Sequence, residues 1–311
     1  MPTNVNWSEQ GGWTTTGDSG RGDDCLAAYV QAARDVPLDL PPDTALSYGS
    51  LGYVVLGRVI EVLTGTTWDQ ALQDRLFTPL GLHHSMTLPE QALRHRVAMS
   101  HLGEPGHDPE PAPAWDLMPR SAGPYGRVII SAGDLARFAR THLDGGLTPD
   151  GTRLLSTTAT TAMQRREIDV PDQWTVSADG WSLGWTLYDW NGIAGYGHDG
   201  AAIGRYGYLR VVPHAGVAIA LLTNGGGTRL LYADLFRELL AELAGVQMPE
   251  PFAPATTPPL DLSLEPVTET VFAASGAGAA FSEDYMPVVF TTLNDGTECV
   301  YVGMRATPKV P

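Results

Sequence analysis

Lysine is almost missing from this 311-residue chain: of 19 basic residues, only Lys309 is a lysine. Any mechanism that needs a lysine has a single position to draw on. Positive charge as a whole is scarce. Thirty-five acids leave a net charge of -16, and such a chain repels phosphate backbones, which argues against a nucleic-acid partner. The acids are spread along the sequence and read as a solvated surface. Cysteine is limited to Cys25 and Cys299, with no C-x-x-C pair, so a dithiol redox motif is excluded and pairing between the two stays open. No apolar run approaches the roughly 18 residues that cross a bilayer, so no membrane span is expected. The start, MPTNVNWSEQGGW, has neither the basic first residues nor the apolar core of a signal peptide, and a cytoplasmic location is expected. There are no internal repeats.

Hydrophobic residues make up 43% of the chain, enough for one large domain with a small appendage. A helix is predicted over Asp24–Arg34. The next, after Ser50, is apolar nearly all round, with Leu51, Val55, Val59 and Val62 on one face. It is expected deep in the core and closed by Gly65. Thr67 with Gln70 predicts a capping box for a helix ending before Pro79. Residues 79–127 are rich in Pro, Gly and His and read as loops. Ser131 with Asp134 opens a helix to about Leu143, and Ser156 opens a short one to about Arg165. Four β-rich stretches follow, WSLGWTLYDW, GIAGYGH, GRYGYLRVVP and GVAIALLTN, separated by Gly and Asn turns. A helix over Arg229–Ala244 returns onto them, which predicts mixed α and β layers. PEPFAPATTPPLD reads as a Pro-rich linker. In the last stretch NDG, between two apolar runs, predicts a hairpin.

The segment LSYGSLGYVVLGRVIEVLTG places a phenol, Tyr48, two residues before a hydroxyl, Ser50, at the mouth of an apolar helix. A polar helix start around a core tyrosine is one reading and proton transfer is the other. SYGSLGYVVLGRVIEVLTG resembles the tyrosine motif, Tyr-x-Asn, of β-lactamase-related serine hydrolases: class C β-lactamases, D-alanyl-D-alanine carboxypeptidases and related esterases. PLGLHHSMTL and SAGPYGRVIISAGDLARFARTHLDGG resemble the loop and the Ser-Ala-Gly-Pro turn of that family, and YGHDGAAIGRYGYLRVVPHAGVAIALLTNGG resembles its His-x-Gly strand. The likeness runs from about Asp23 to Gly245 with the motifs in order. It implies an α+β fold, an antiparallel sheet flanked by helices of the β-lactamase/transpeptidase type, N-terminally truncated, with a small C-terminal β appendage. The expected domains are a partial hydrolase domain over 1–247, a linker over 248–262 and a β-rich segment over 263–311.

In that family a Ser in Ser-x-x-Lys attacks an acyl carbon while Lys and Tyr share the proton. The resemblance makes Tyr48 the general base, sets Ser50 where Asn is usual, puts His198 and Gly200 in the third motif, and makes the Ala201 N–H the strand's oxyanion donor. A phenol with its usual pKa near 10 needs neighbouring cations to act as a base. Ser-x-x-Lys occurs nowhere, because the residue three before Lys309 is Ala306. The expectation is therefore a scaffold for small ester or amide substrates that is inactive as written. The alternative is a non-catalytic ligand-binding or regulatory module. Neither reading calls for a cofactor or a metal.

Three other patterns read as ordinary structure. Gly-Asp-Ser-Gly around Ser19 matches the nucleophile string of chymotrypsin-like proteases, but no His precedes it, so a polar loop is expected. His83, His84, His95, His101 and His107 show no helical i, i+4 pair with metal-ligand spacing. NGGG at 224–227 lacks the Lys-Ser/Thr of a phosphate loop and reads as a strand-to-helix turn. Trp181, Trp185 and Trp190 are expected in the core or along a cleft wall.

Overall fold

The computed structural model of the chain describes residues 20–38, 40–102, 108–113, 115, 118–172, 178–225, 228–250, 264–275, 285–302 and 304–309. Two compact units account for it. The first combines Met1–Asp43, Ser47–Ala98 and Ala114–Phe138; the second combines Thr44–Leu46, Met99–Pro113 and Ala139–Pro311.

The first unit is helical. Helices α1 (Cys25–Ala32) and α2 (Ser50–Thr64) pack through Cys25, Leu26 and Val54, with Trp68 closing the cluster. α2 ends as predicted: Gly65 has φ +69°, a left-handed conformation that glycine adopts without penalty. Its burial differs from expectation. Val54, Gly57 and Glu61 form the buried stripe, whereas Val55, Leu56, Val59, Val62 and Leu63 are exposed. An apolar periphery can be buried all round only if neighbours exist on every side, and a helix sequence does not report its neighbours.

The carboxylate of Glu61, buried at 7% exposure, accepts from the Trp68 N–H at 3.2 Å and from Arg58 Nη1 at 2.9 Å. It thereby fixes the start of α3 (Trp68–Leu72). Thr67 Oγ1 accepts from the Gln70 N–H at 3.2 Å, which is half of the predicted capping box. The Gln70 amide turns instead to Asp74 at 2.8 Å. The helical path does not stop before Pro79. It passes through a π turn, Gln73–Phe77, and continues over Thr78–Leu80. The π turn carries the path up to Pro79, which has no N–H to leave unpaired.

Among its described residues, the stretch from Pro79 to Arg127 is mostly irregular, as predicted, with short elements such as Ser85–Met86, which pairs with Ile129–Ile130. Helix α4 (Ala132–Leu143) starts with the Asp134 N–H donating to Ser131 Oγ at 3.1 Å. The fully buried Asp134 carboxylate accepts from the His84 N–H and Ser85 Oγ, and pairs with Arg137.

The second unit holds helix α5 (Thr157–Gln164), capped by Ser156 as expected, and a six-stranded antiparallel meander. Its strands in sheet order are β1 (Ile168–Asp169), β2 (Gly180–Trp181), β3 (Thr186–Trp190), β4 (Ile193–Ala202), β5 (Arg205–Val212) and β6 (Val217–Thr223). The stretch WSLGWTLYDW is thus two strands, broken by a bend at Gly184, where φ is +96°. Helix α6 (Thr228–Ala244) covers one face of the sheet. Phe236, Leu240 and Ala244 pack there with Tyr188, Trp190, Tyr208 and Val212 in one core, which loss of the fully buried Phe236 ring would destabilise by about 3–5 kcal/mol.

Asn224, from the NGGG stretch, lies between β6 and α6, and its amide donates to the Met99 carbonyl at 2.8 Å. A second antiparallel sheet follows: β7 (Glu265–Pro266), β8 (Val271–Ser275), β9 (Tyr285–Thr292), β10 (Glu298–Val302) and β11 (Arg305–Pro308). Here β9 and β10 are the predicted hairpin, turning at Gly296, where φ is +88°. Ser19, His107 and most of the Pro-rich linker lie outside the described residues.

Candidate functional site

Tyr48 lies on the short stretch that leads into α2, half-buried, and Ser50 is the first residue of that helix. Gly49 between them is extended, with φ -149° and ψ 138°, and no side chain caps the helix. Ser47 Oγ beside Tyr48 is buried and makes no hydrogen bond among the described residues. The structure therefore brings Tyr48 and Ser50 together at one helix mouth.

The Ser-Ala-Gly-Pro turn supports this helix. Ser121 and Ala122 are fully buried. A Cβ on Gly57 of α2 would fall 2.4 Å from Cγ of Pro124, and one on Gly123 would fall 2.8 Å from the Trp68 ring. Both glycines thus permit a contact that no larger residue fits. Arg120, at the start of the turn, clamps it through Asp69 at 3.0 Å and Asp23 at 2.8 Å.

His198, Gly200 and Ala201 lie together on β4 of the second unit. The His198 ring meets Trp181 edge-on, with centroids 5.6 Å apart. Burial pushes its pKa below the usual histidine value, opposed by the adjacent Asp199 charge and by a hydrogen bond to the Asp199 backbone. The imidazole is thus neutral at pH 7, able to donate through one nitrogen and accept through the other.

The direction of the Ala201 N–H follows from the register. Thr186 Oγ1 of β3 donates to the Gly197 carbonyl at 2.7 Å, so the polar groups of Gly197 point toward β3. Alternation sends those of Asp199 and Ala201 to the same edge. Strand β3 begins at Thr186, opposite Gly197, and so no β3 residue faces Ala201. A side chain on Gly200 would meet nothing within 4 Å, so its absence leaves the surface of β4 bare there.

Behind β4, on the α6 face of the sheet, stand two residues that motif reading overlooked. Arg210 of β5 is 1% exposed and pairs with Asp199 at 2.5 and 2.9 Å. Its guanidinium carbon lies 4.5 Å from the Tyr188 ring centroid and 5.0 Å from that of Tyr232, whose hydroxyl accepts from Nη2 at 2.6 Å. Desolvation lowers the guanidinium pKa, but the Asp199 charge and hydrogen bond together with Tyr188 and Tyr232 hold it well above its ordinary value. Burial pushes the Tyr232 phenol up to about 12. The pair ties β4 to β5 beneath the His198–Ala201 segment. One sequence signal existed: an arginine inside the apolar strand GRYGYLRVVP, which must find a counter-charge if that strand is buried.

Trp185 and Trp190 are core residues, as expected. Trp185 contacts His142 and Tyr196, and Trp190 stacks on Tyr188. No helix among the described residues is long and apolar enough to cross a membrane.

The chain is 64% identical over 247 residues to penicillin-binding protein 4 of Amycolatopsis lactamdurans, a match covering 79% of this chain and 65% of that protein. It is 24% identical over 224 residues to the unguisins hydrolase ungD of Aspergillus violaceofuscus, covering 65% of this chain and 39% of that one. The chain thus spans less than two thirds of either relative. Among solved structures, the crystal structure of SurE superposes with a TM-score of 0.61 at 27% identity, over 94% of this chain and 69% of the other. The beta-lactamase family model matches residues 6–243, starting upstream of the Asp23 where the motif likeness begins, and the chain belongs to that family.

Proposed function

We propose that this chain is a β-lactamase-family hydrolase scaffold that binds small acyl substrates, esters or amides, without completing an acyl-enzyme. The observation that carries this reading is the conjunction of family membership over residues 6–243 with a sequence containing no Ser-x-x-Lys. In the proposed assignment Tyr48 is the proton-transfer position, and the Ala201 N–H on the open edge of β4 receives the acyl oxygen. His198 supports the bound ligand as a neutral ring. Nucleophilic attack needs a hydroxyl whose proton a base can take, and the lysine that shares this task in the family is not in the chain. The same absence favours a second reading, a non-catalytic module that recognises such ligands.

The names of the relatives suggest a first probe, a penicillin. Calorimetric titration with benzylpenicillin is expected to show saturable binding. Gly200→Ala, which adds a methyl to open space, is expected to leave the fold intact and weaken binding about tenfold or more. Undetectable binding by the folded wild type would overturn the reading.

A further inference from the structure

A carboxylate stands beside the proposed oxyanion donor. Asp199 precedes Ala201 by two residues on β4, so the two share a face and an edge of the strand, about 7 Å apart. The Asp199 side chain is 39% exposed, on the α6 face. A lone carboxylate at that separation would oppose a negative charge brought to the Ala201 N–H by about tenfold in affinity. Arg210 answers it. Nη1 and Nη2 donate to the two carboxylate oxygens at 2.5 and 2.9 Å, a bidentate pair. The guanidinium is held in place by its neighbours: Nη1 also donates to the Leu209 carbonyl at 2.8 Å, and the Tyr188 and Tyr232 rings lie on either side. At 1% exposure it cannot touch a ligand on the open edge of β4. Bracing alone would not call for it. Position 210 sits among apolar and aromatic groups, and a buried ion pair is often no more stabilising than apolar side chains of similar size. What an arginine supplies there, and an apolar residue does not, is the cancellation of the Asp199 charge.

We propose that Arg210 is a positioning residue that sets the ligand charge this edge accepts: by cancelling Asp199 it lets the edge take acyl compounds that carry a negative charge. The inference rests on the proposed assignment of the Ala201 N–H to the acyl oxygen. Arg210 acts through Asp199 and not by contact, so its effect depends on the charge of the ligand and not on its shape. Removing either partner should then act in opposite directions. Without Arg210 the edge gains a negative charge; without Asp199 it gains the positive charge of the buried guanidinium.

Calorimetric titration of the full chain with benzylpenicillin, an anion, and with its methyl ester, a neutral counterpart, separates charge from shape. Arg210→Met, an apolar side chain of similar reach, should weaken benzylpenicillin about tenfold relative to the ester. Asp199→Asn should tighten benzylpenicillin relative to the ester. It also carries the test should Arg210→Met lose the circular dichroism of the wild type. Equal changes for the two ligands, or changes of the same sign in the two variants, would show a brace and overturn the proposal. A second measurement needs no ligand. His198 adjoins Asp199 on β4, and the Asp199 charge raises its pKa while the Arg210 charge lowers it. Proton NMR titration of His198, assigned by comparison with His198→Gln, should therefore show a higher pKa in Arg210→Met and a lower one in Asp199→Asn. A His198 pKa that neither variant moves would overturn the proposal. Absence of binding by the folded wild type would remove the proposed function instead, and the direction of the two His198 shifts would still decide whether Arg210 cancels Asp199.

Discussion

Single residues show how this chain handles charge away from water. His142 is buried against Trp185, and burial pushes its pKa down to about 4. In the unfolded chain the same imidazole titrates near 6.5. Between those values the unfolded state holds more protons, so stability falls with falling pH across that window. The contribution is complete above about pH 6.5 and gone below about pH 4, and amounts to roughly 3 kcal/mol. Urea unfolding of wild type and His142→Gln at a series of pH values checks this. The wild type should lose that much more between pH 7 and pH 4, and parallel curves would disprove the assignment. The Asp199–Arg210 pair shows what motif reading cannot supply. The two lie eleven positions apart on neighbouring strands, and their meeting depends on a register that pairs Gly197 with Arg210. The type of each residue was legible; the pairing was not.

Elements were legible where a local signal decided them. Gly65, Ser156 and Gly296 act where turn and cap chemistry places them, because those preferences reside in one or two residues. The π turn before Pro79 had no such signal, since it depends on how a helix absorbs a missing donor. The burial of α2 was misread for a related reason: Val55, Leu56 and Leu63 are as apolar as Val54, and only the neighbours distinguish them. The tight side of α2 makes a prediction. Gly57→Ala would push its methyl to 2.4 Å from Pro124, and overpacking of that kind costs about 1–3 kcal/mol. A thermal melt should show a clear fall in Tm. An unchanged Tm would mean that the Ser121–Pro124 turn does not brace this helix.

At the scale of the whole molecule, the family was legible because several weak motifs occurred in order: Tyr48 before an apolar helix, the Ser121–Pro124 turn, and His198 with Gly200 on a strand. Each has a physical correlate. The turn packs into Gly57 and Trp68, and the strand presents the Ala201 amide on an open edge. The activity was not legible from the same residues, because acyl transfer depends on a nucleophile and lysine that no motif in the chain supplies. The central claim is that the scaffold recognises acyl compounds without being acylated. Its most direct test is the intact mass of the purified chain after incubation with benzylpenicillin or a fluorophosphonate. The account predicts an unchanged mass; one stoichiometric covalent adduct per chain would contradict it.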